Sequence, residues 1–141
     1  MMKSKIVRWG ICAATLVALV GCAGGGAKGP TDEEMIKAIV DDAMASLVAK
    51  DIDKMVVNYA DDFKSDQGGG KAEIIEFLKG AKDQGFLDDI KIDTSALTIK
   101  IEGEKAAVEP IKLEGAFGAI TLSFEFMKKD GAWKISYQAQ Q

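Results

Sequence analysis

The chain has 141 residues, 48% hydrophobic and 28% charged, with a net charge of −4 and no histidine. That length suits one modest domain, and the apolar share excludes a disordered tail. Without histidine the commonest general base and the commonest metal ligand are gone, so acid–base chemistry falls to carboxylates, Lys and Tyr, and most hydrolase triads and zinc sites are excluded.

Residues 1–8 carry Lys3, Lys5 and Arg8 and no acid, and Ile11 to Val20 is then an almost unbroken apolar run that closes on Gly21-Cys22. A basic segment followed by a short apolar one is the pattern of an export signal. As a helix the ten residues of that run reach about 15 Å at ~1.5 Å per residue, against a hydrocarbon core of ~30 Å, so a spanning helix is not expected. Leu19-Val20-Gly21-Cys22 resembles the lipobox of bacterial lipoprotein precursors: a branched residue, a small one, then cysteine. The resemblance implies that residues 1–21 are removed and that Cys22 is acylated with palmitate-type chains that anchor the protein to a membrane. Each buried methylene adds about 0.8 kcal/mol to such anchoring. Ala23, where an Asp would resemble an inner-membrane retention signal, implies the outer membrane on its periplasmic side in a Gram-negative host. In any other host the implied address is the outer face of the cytoplasmic membrane.

Cys12 would leave with the signal and Cys22 would become a thioether, leaving no thiol for a disulfide, a redox couple or a metal. Loss of Lys3, Lys5 and Arg8 shifts the net charge from −4 to −7. That acidity argues against nucleic acid as a partner and against electrostatic docking on anionic lipid, leaving the acyl chains as the membrane contact. Residues 22–30 carry the lipidated cysteine and the glycine-rich stretch Ala23 to Pro30, a flexible tether. At ~5–6 Å times the square root of its length it spans about 15 Å. The folded domain is then residues 31–141.

Thr31 and Glu34 form a capping box, and Met35, Ile36, Ile39, Val40, Ala43, Met44, Leu47 and Val48 recur at helical spacing behind it. Asp51-Ile52-Asp53 restarts the chain, and Ile52, Met55, Val56, Tyr59 and Phe63 predict a second short helix. Gly68-Gly69-Gly70 breaks it. Lys71 to about Lys82 predicts a third, with Ile74, Ile75, Phe77 and Leu78 at core positions and Gly85 just past its end. From Ile90 the period falls to two. Leu97, Ile99 and Ile101 alternate with polar residues, Ala106 to Leu113 forms the next strand, and Ile120, Leu122, Phe124 and Phe126 the one after it. Asp130-Gly131 then turns a hairpin into Trp133, Ile135 and Tyr137. Pro110 belongs on an edge strand or at a bulge. The expected class is α+β: three N-terminal helices on the concave face of a curved antiparallel meander of about four strands.

That order resembles the nuclear-transport-factor-2-like superfamily, the cone-shaped fold of ketosteroid isomerase and the polyketide cyclases. The resemblance rests on the capped first helix, Lys50-Asp51-Ile52-Asp53, Tyr59-Ala60-Asp61-Asp62-Phe63, Gly70-Lys71 and Lys129-Asp130-Gly131-Ala132-Trp133-Lys134-Ile135. Each of these has a structural job, so they carry the fold and not an activity. The isomerase pattern places Ala43 where its tyrosine donor belongs and Gln67 where its base belongs, with Asp66 one residue short and Glu125 near its second acid. The resemblance also implies a homodimer through the sheet's other face, near Thr98, Lys100, Thr121 and Ser123.

Other constellations fail on their own residues. Asp62 to Glu73 has the length of a calcium loop but Lys64 at the third position and Gln67 at the sixth. Gly68-Gly69-Gly70-Lys71 lacks the first glycine and the hydroxyl of a phosphate loop, with Ser65 and Ala72 in their places. Asp41-Asp42, Asp61-Asp62 and Asp88-Asp89 are adjacent residues, which do not converge on a ligand unaided. No metal site and no cofactor is expected. Tyr59, Phe63, Phe77, Phe124, Phe126, Trp133 and Tyr137 are the candidates to line the interior, as a filled core or around an apolar pocket. Met35, Met44 and Met55 suit either outcome. The sequence thus reads as a non-catalytic envelope lipoprotein that binds a partner protein or a small hydrophobic ligand. The competing reading is a cyclase-like or isomerase-like enzyme using Asp66, Glu125 or Tyr59 within the cone.

Overall fold

Thr31 caps the first helix as its spacing to Glu34 predicts. Its Oγ1 accepts from the Glu34 N–H at 3.2 Å and its own N–H donates to Glu34 Oε2 at 2.7 Å. The computed structural model describes residues 29–141. The signal segment, Cys22 and the tether up to residue 28 therefore lie outside the described residues.

Helix α1 runs Asp32–Val48, α2 is the single turn Ile52–Met55, and a 3-10 turn, Val56–Asn58, leads directly into strand β1, Tyr59–Ser65. Then come α3 (Lys71–Asp83), β2 (Lys91–Asp93), β3 (Thr98–Glu102), β4 (Lys105–Gly115), β5 (Gly118–Lys129) and β6 (Ala132–Gln140). The expected second helix therefore stops short, and Tyr59 and Phe63 stand on a strand. Residues four apart share a face in a helix and in a strand alike, so their spacing fits both. What decides it is a partner: β1 pairs in parallel with β6, Tyr59 opposite Ile135 and Lys64 opposite Tyr137, with a register shift between.

The sheet is accordingly larger than the expected four-stranded meander, and mixed: six strands in the order β1-β6-β5-β4-β2, with β3 also on β4. The long strand β4 holds β3 against its first half and β2 against its second. Pro110 sits between those two partners, at a register shift between Val108 and Ile111. A residue without an N–H fits where the ladder is interrupted, and the interruption bends the strand.

Helix α1 lays Ile36, Val40, Ala43, Met44 and Leu47 on the inner face of the sheet, against Val108, Ile111, Phe124, Phe126 and Ile135. Among the described residues the buried hydrophobic set runs from Ile36 to Ile135 as one cluster, so residues 29–141 carry a core of their own. Helix α3 ends in the motif its glycine predicts: Gly85 takes φ +78°, its N–H donates to Lys82 O, and the Phe86 N–H donates to Ala81 O.

Candidate functional site

Beyond the region that α1 fills, the described residues leave the inner face of the sheet partly uncovered. A cavity of about 880 Å³ opens there between α3 and the strands. That is within the range of small-molecule pockets. Its α3 wall presents Ile74, Phe77, Leu78 and Ala81; Leu87 and Ile90 follow from the next connection; Leu113, Ile120 and Leu122 form the sheet wall; Leu47, Met55 and Tyr59 contribute from the core side. At its margin stand three exposed rings, Phe77 at 68%, Phe86 at 41% and Phe117 at 36%. The polar lining is Ser65, four glutamines (Gln67, Gln84, Gln138 and Gln140) and two acids, Glu73 and Glu76.

Tyr59 is 1% exposed, and its hydroxyl donates to Gln138 Oε1 at 3.2 Å. Burial pushes its phenol well above the ordinary range, so it stays neutral. Glu73 reaches back from the first turn of α3 to accept the Gly70 N–H at 2.8 Å. That bond, first among its causes, holds the carboxyl below its usual range. The N-terminus of α3, where the glycine run invited an anion, is thus capped by a carboxylate of the same helix.

The seven aromatic candidates separate into three places. Phe63, Phe124, Phe126 and Trp133 are packed core, with Tyr59 and Phe63 rings 4.7 Å apart and Phe124 6.5 Å from Phe126. Tyr59 and Phe77 line the cavity. Phe77 was expected at a core position and is instead mostly exposed, because α3 turns Leu78 and Ala81 inward and leaves residue 77 at the edge. Tyr137 is opposite Glu125 across β5 and β6, on the face away from Phe124, so it lies outside the expected lining. The polar residues named for a dimer contact share that outer side: Thr98 and Lys100 exposed, Thr121 and Ser123 half-buried.

Neither carboxylate suggested for catalysis lines the cavity. Glu125 is exposed on the outer face of the sheet. Asp66 Oδ2 accepts the Gln140 N–H at 2.9 Å and the Asp66 N–H donates to Gln138 O at 3.0 Å, so this residue clasps the end of β6 to the end of β1. Five of the six paired aspartates are engaged by other side chains: Asp41 by Lys37, Asp42 by Asn58, Asp61 by Lys71, Asp62 by Lys129 and Asp88 by Lys50. Among the described residues no group of three or more acids, cysteines or histidines could hold a metal ion. Phe86 and Phe117 were missed by periodicity because both lie in connections. The signal for Phe86 was its place directly after the helix-ending glycine, where an apolar residue commonly packs back.

No protein-family model matches the chain, and no curated protein matches it. Solved structures do. A Nostoc punctiforme protein of unknown function with a cystatin-like fold is 17% identical with a TM-score of 0.64, covering 80% of this chain and 93% of that one. An NTF2-like protein of unknown function from Pseudomonas putida is 14% identical with a TM-score of 0.63, covering 80% and 89%. Another from Shewanella oneidensis is 17% identical with a TM-score of 0.62, covering 78% and 98%. The fold is NTF2-like. At these identities the likeness shows architecture alone, and what an NTF2-like cone does depends on the side chains inside it.

Proposed function

We propose that this chain is a lipoprotein of the cell envelope, tethered by acyl chains on Cys22, whose NTF2-like domain binds a small hydrophobic ligand without transforming it. The observation that carries the binding half is the cavity between α3 and the sheet: largely apolar walls, aromatic rings at the margin, and a single buried titratable group, Tyr59, that is neutral and bonded to Gln138. Of the three groups offered for proton transfer, Asp66 and Glu125 stand outside the cavity, and Tyr59, which lines it, is held neutral with its hydroxyl bonded to Gln138. The tether half rests on the lipobox-like Leu19-Val20-Gly21-Cys22 and the basic segment before it.

The test is native mass spectrometry of the full chain purified from membranes of its own host. The expected result is a chain that begins at Cys22, carries an acyl mass, and brings with it a small apolar molecule released by organic solvent. A chain that keeps residues 1–21 without acyl mass would overturn the tether. A chain without any bound molecule, and whose residues 29–141 also fail to take up a neutral fluorescent probe such as N-phenyl-1-naphthylamine, would overturn the binding.

A further inference from the structure

The charge of the cavity wall is one-sided. Among the described residues no Lys or Arg belongs to it, while Glu73 and Glu76 do, one helical turn apart on α3. Of the three lysines of the same helix, Lys71 Nζ lies 3.3 Å from Asp61, Lys79 Nζ lies 3.3 Å from Asp53, and Lys82 is not part of the wall. Lys64 comes near Glu73 at Gly70 but adds nothing to the wall. A ligand bringing a carboxylate, sulfate or phosphate into this space would find no cationic side chain in the described wall and two carboxylates. In a partly dehydrated pocket such a pairing costs considerably more than in water.

The remaining polar lining is built for an uncharged group. Four glutamine amides, Gln67, Gln84, Gln138 and Gln140, each offer donors and an acceptor without net charge. Gln138 is oriented: its Oε1 already takes the Tyr59 hydroxyl, so its NH₂ is the part available to an incoming oxygen. Resting on the ligand-binding reading above, we infer that the cavity is selective for an apolar molecule whose polar end is an uncharged oxygen function, an alcohol or ester, and rejects the anionic molecule of equal chain length. The α3 carboxylates supply the rejection, and the glutamines supply the acceptance.

Displacement of N-phenyl-1-naphthylamine from residues 29–141 at neutral pH tests this with three competitors of one chain length: 1-decanol, decanoate and decylammonium. Decanol should displace the probe at a concentration about tenfold or more below that needed for decanoate. The double substitution Glu73→Gln and Glu76→Gln should bring decanoate to within about threefold of decanol. Glutamine at position 73 can still accept the Gly70 N–H, so the helix start is preserved, and an unchanged melting temperature verifies it. Equal displacement by decanoate and decanol in the unsubstituted domain would overturn the inference, as would a gap that the double substitution does not narrow. Decylammonium as the strongest competitor would overturn it in favour of a cationic ligand. Failure of the probe to bind at all is a different outcome, since it removes the binding function and not only its selectivity.

Discussion

Asp32 illustrates what the acids of this chain do when they leave the sequence and enter the fold. In the first turn of α1, its Oδ1 accepts from Lys128 Nζ at 2.8 Å and from Trp133 Nε1 at 2.9 Å, while Lys128 lies 5.7 Å from the centre of the Trp133 ring. The hydrogen bond from Lys128 first, and that from Trp133 second, hold the carboxyl below its ordinary range. A carboxylate whose value is depressed on folding stabilises the native state above its unfolded value of about 3.9, and that contribution is lost as the pH falls through the folded value. Stability of residues 29–141 should therefore decline below about pH 4. Asp32→Asn should start less stable at pH 7 and lose less on acidification, because the linked proton is gone. Urea midpoints across that pH range, followed by fluorescence of Trp133, check this directly, since no other tryptophan lies in residues 29–141. Parallel pH profiles for the two proteins would show that the Asp32 contacts contribute nothing. Asp62, bonded by Lys129, and Asp42, bonded by Asn58, are depressed in the same direction, so the substituted domain keeps part of its acid slope.

Among the elements, those whose evidence is local were legible, and those chosen by a distant partner were not. The Thr31–Glu34 box, the stripe of α1, the Lys71 start of α3 and its glycine stop, and the alternation of β4 to β6 are written within a few residues of where they act. The glycine stop makes the sharpest test of that reading. At φ +78° an added Cβ at Gly85 is strained by the backbone itself, and it would come within 3.2 Å of Asp88 Oδ2. Gly85→Ala should cost about 1–2 kcal/mol, seen as a lowered melting temperature. An unchanged temperature would mean that the end of α3 is free to rearrange. Strand β1 lacked any such local mark. Ala60, Asp61, Asp62 and Lys64 are poor strand residues, and Tyr59 and Phe63 are spaced for either structure. Only pairing with β6 from the far end of the chain, fastened by Asp66 on the last residues of that strand, makes the segment extended. The same holds for β2, three residues whose strand character exists because β4 is long enough to hold it beside β3.

At the scale of the whole molecule, the open question of the sequence was whether the space beneath the helices is packed or hollow, and the fold divides it between both. α1 fills the part over Val108, Phe124 and Ile135, while α3 stands over Leu113, Ile120 and Leu122 with room between. Hydrophobic spacing could not separate these, since it counts apolar positions on a helix and is blind to how far that helix stands from the sheet. Phe124 and Phe77 looked equivalent in sequence, yet one is fully buried and the other 68% exposed. Stability and binding should separate along that division. Phe124→Ala removes a ring that packs against both Tyr59 and Phe126 and should cost about 3–5 kcal/mol, much of what holds a domain of this size together. Phe77→Ala removes a ring that touches mostly solvent and the cavity margin, so its cost should stay within about 0.5 kcal/mol. The second substitution should nevertheless weaken uptake of N-phenyl-1-naphthylamine severalfold, because an exposed ring at a pocket mouth gains its burial only when a guest arrives. Urea unfolding and probe titration on the same two variants decide the matter: if Phe77→Ala destabilises the domain as Phe124→Ala does, α3 is packed down and the cavity closes in solution. If it alters neither quantity, the rings at the margin take no part in holding a ligand.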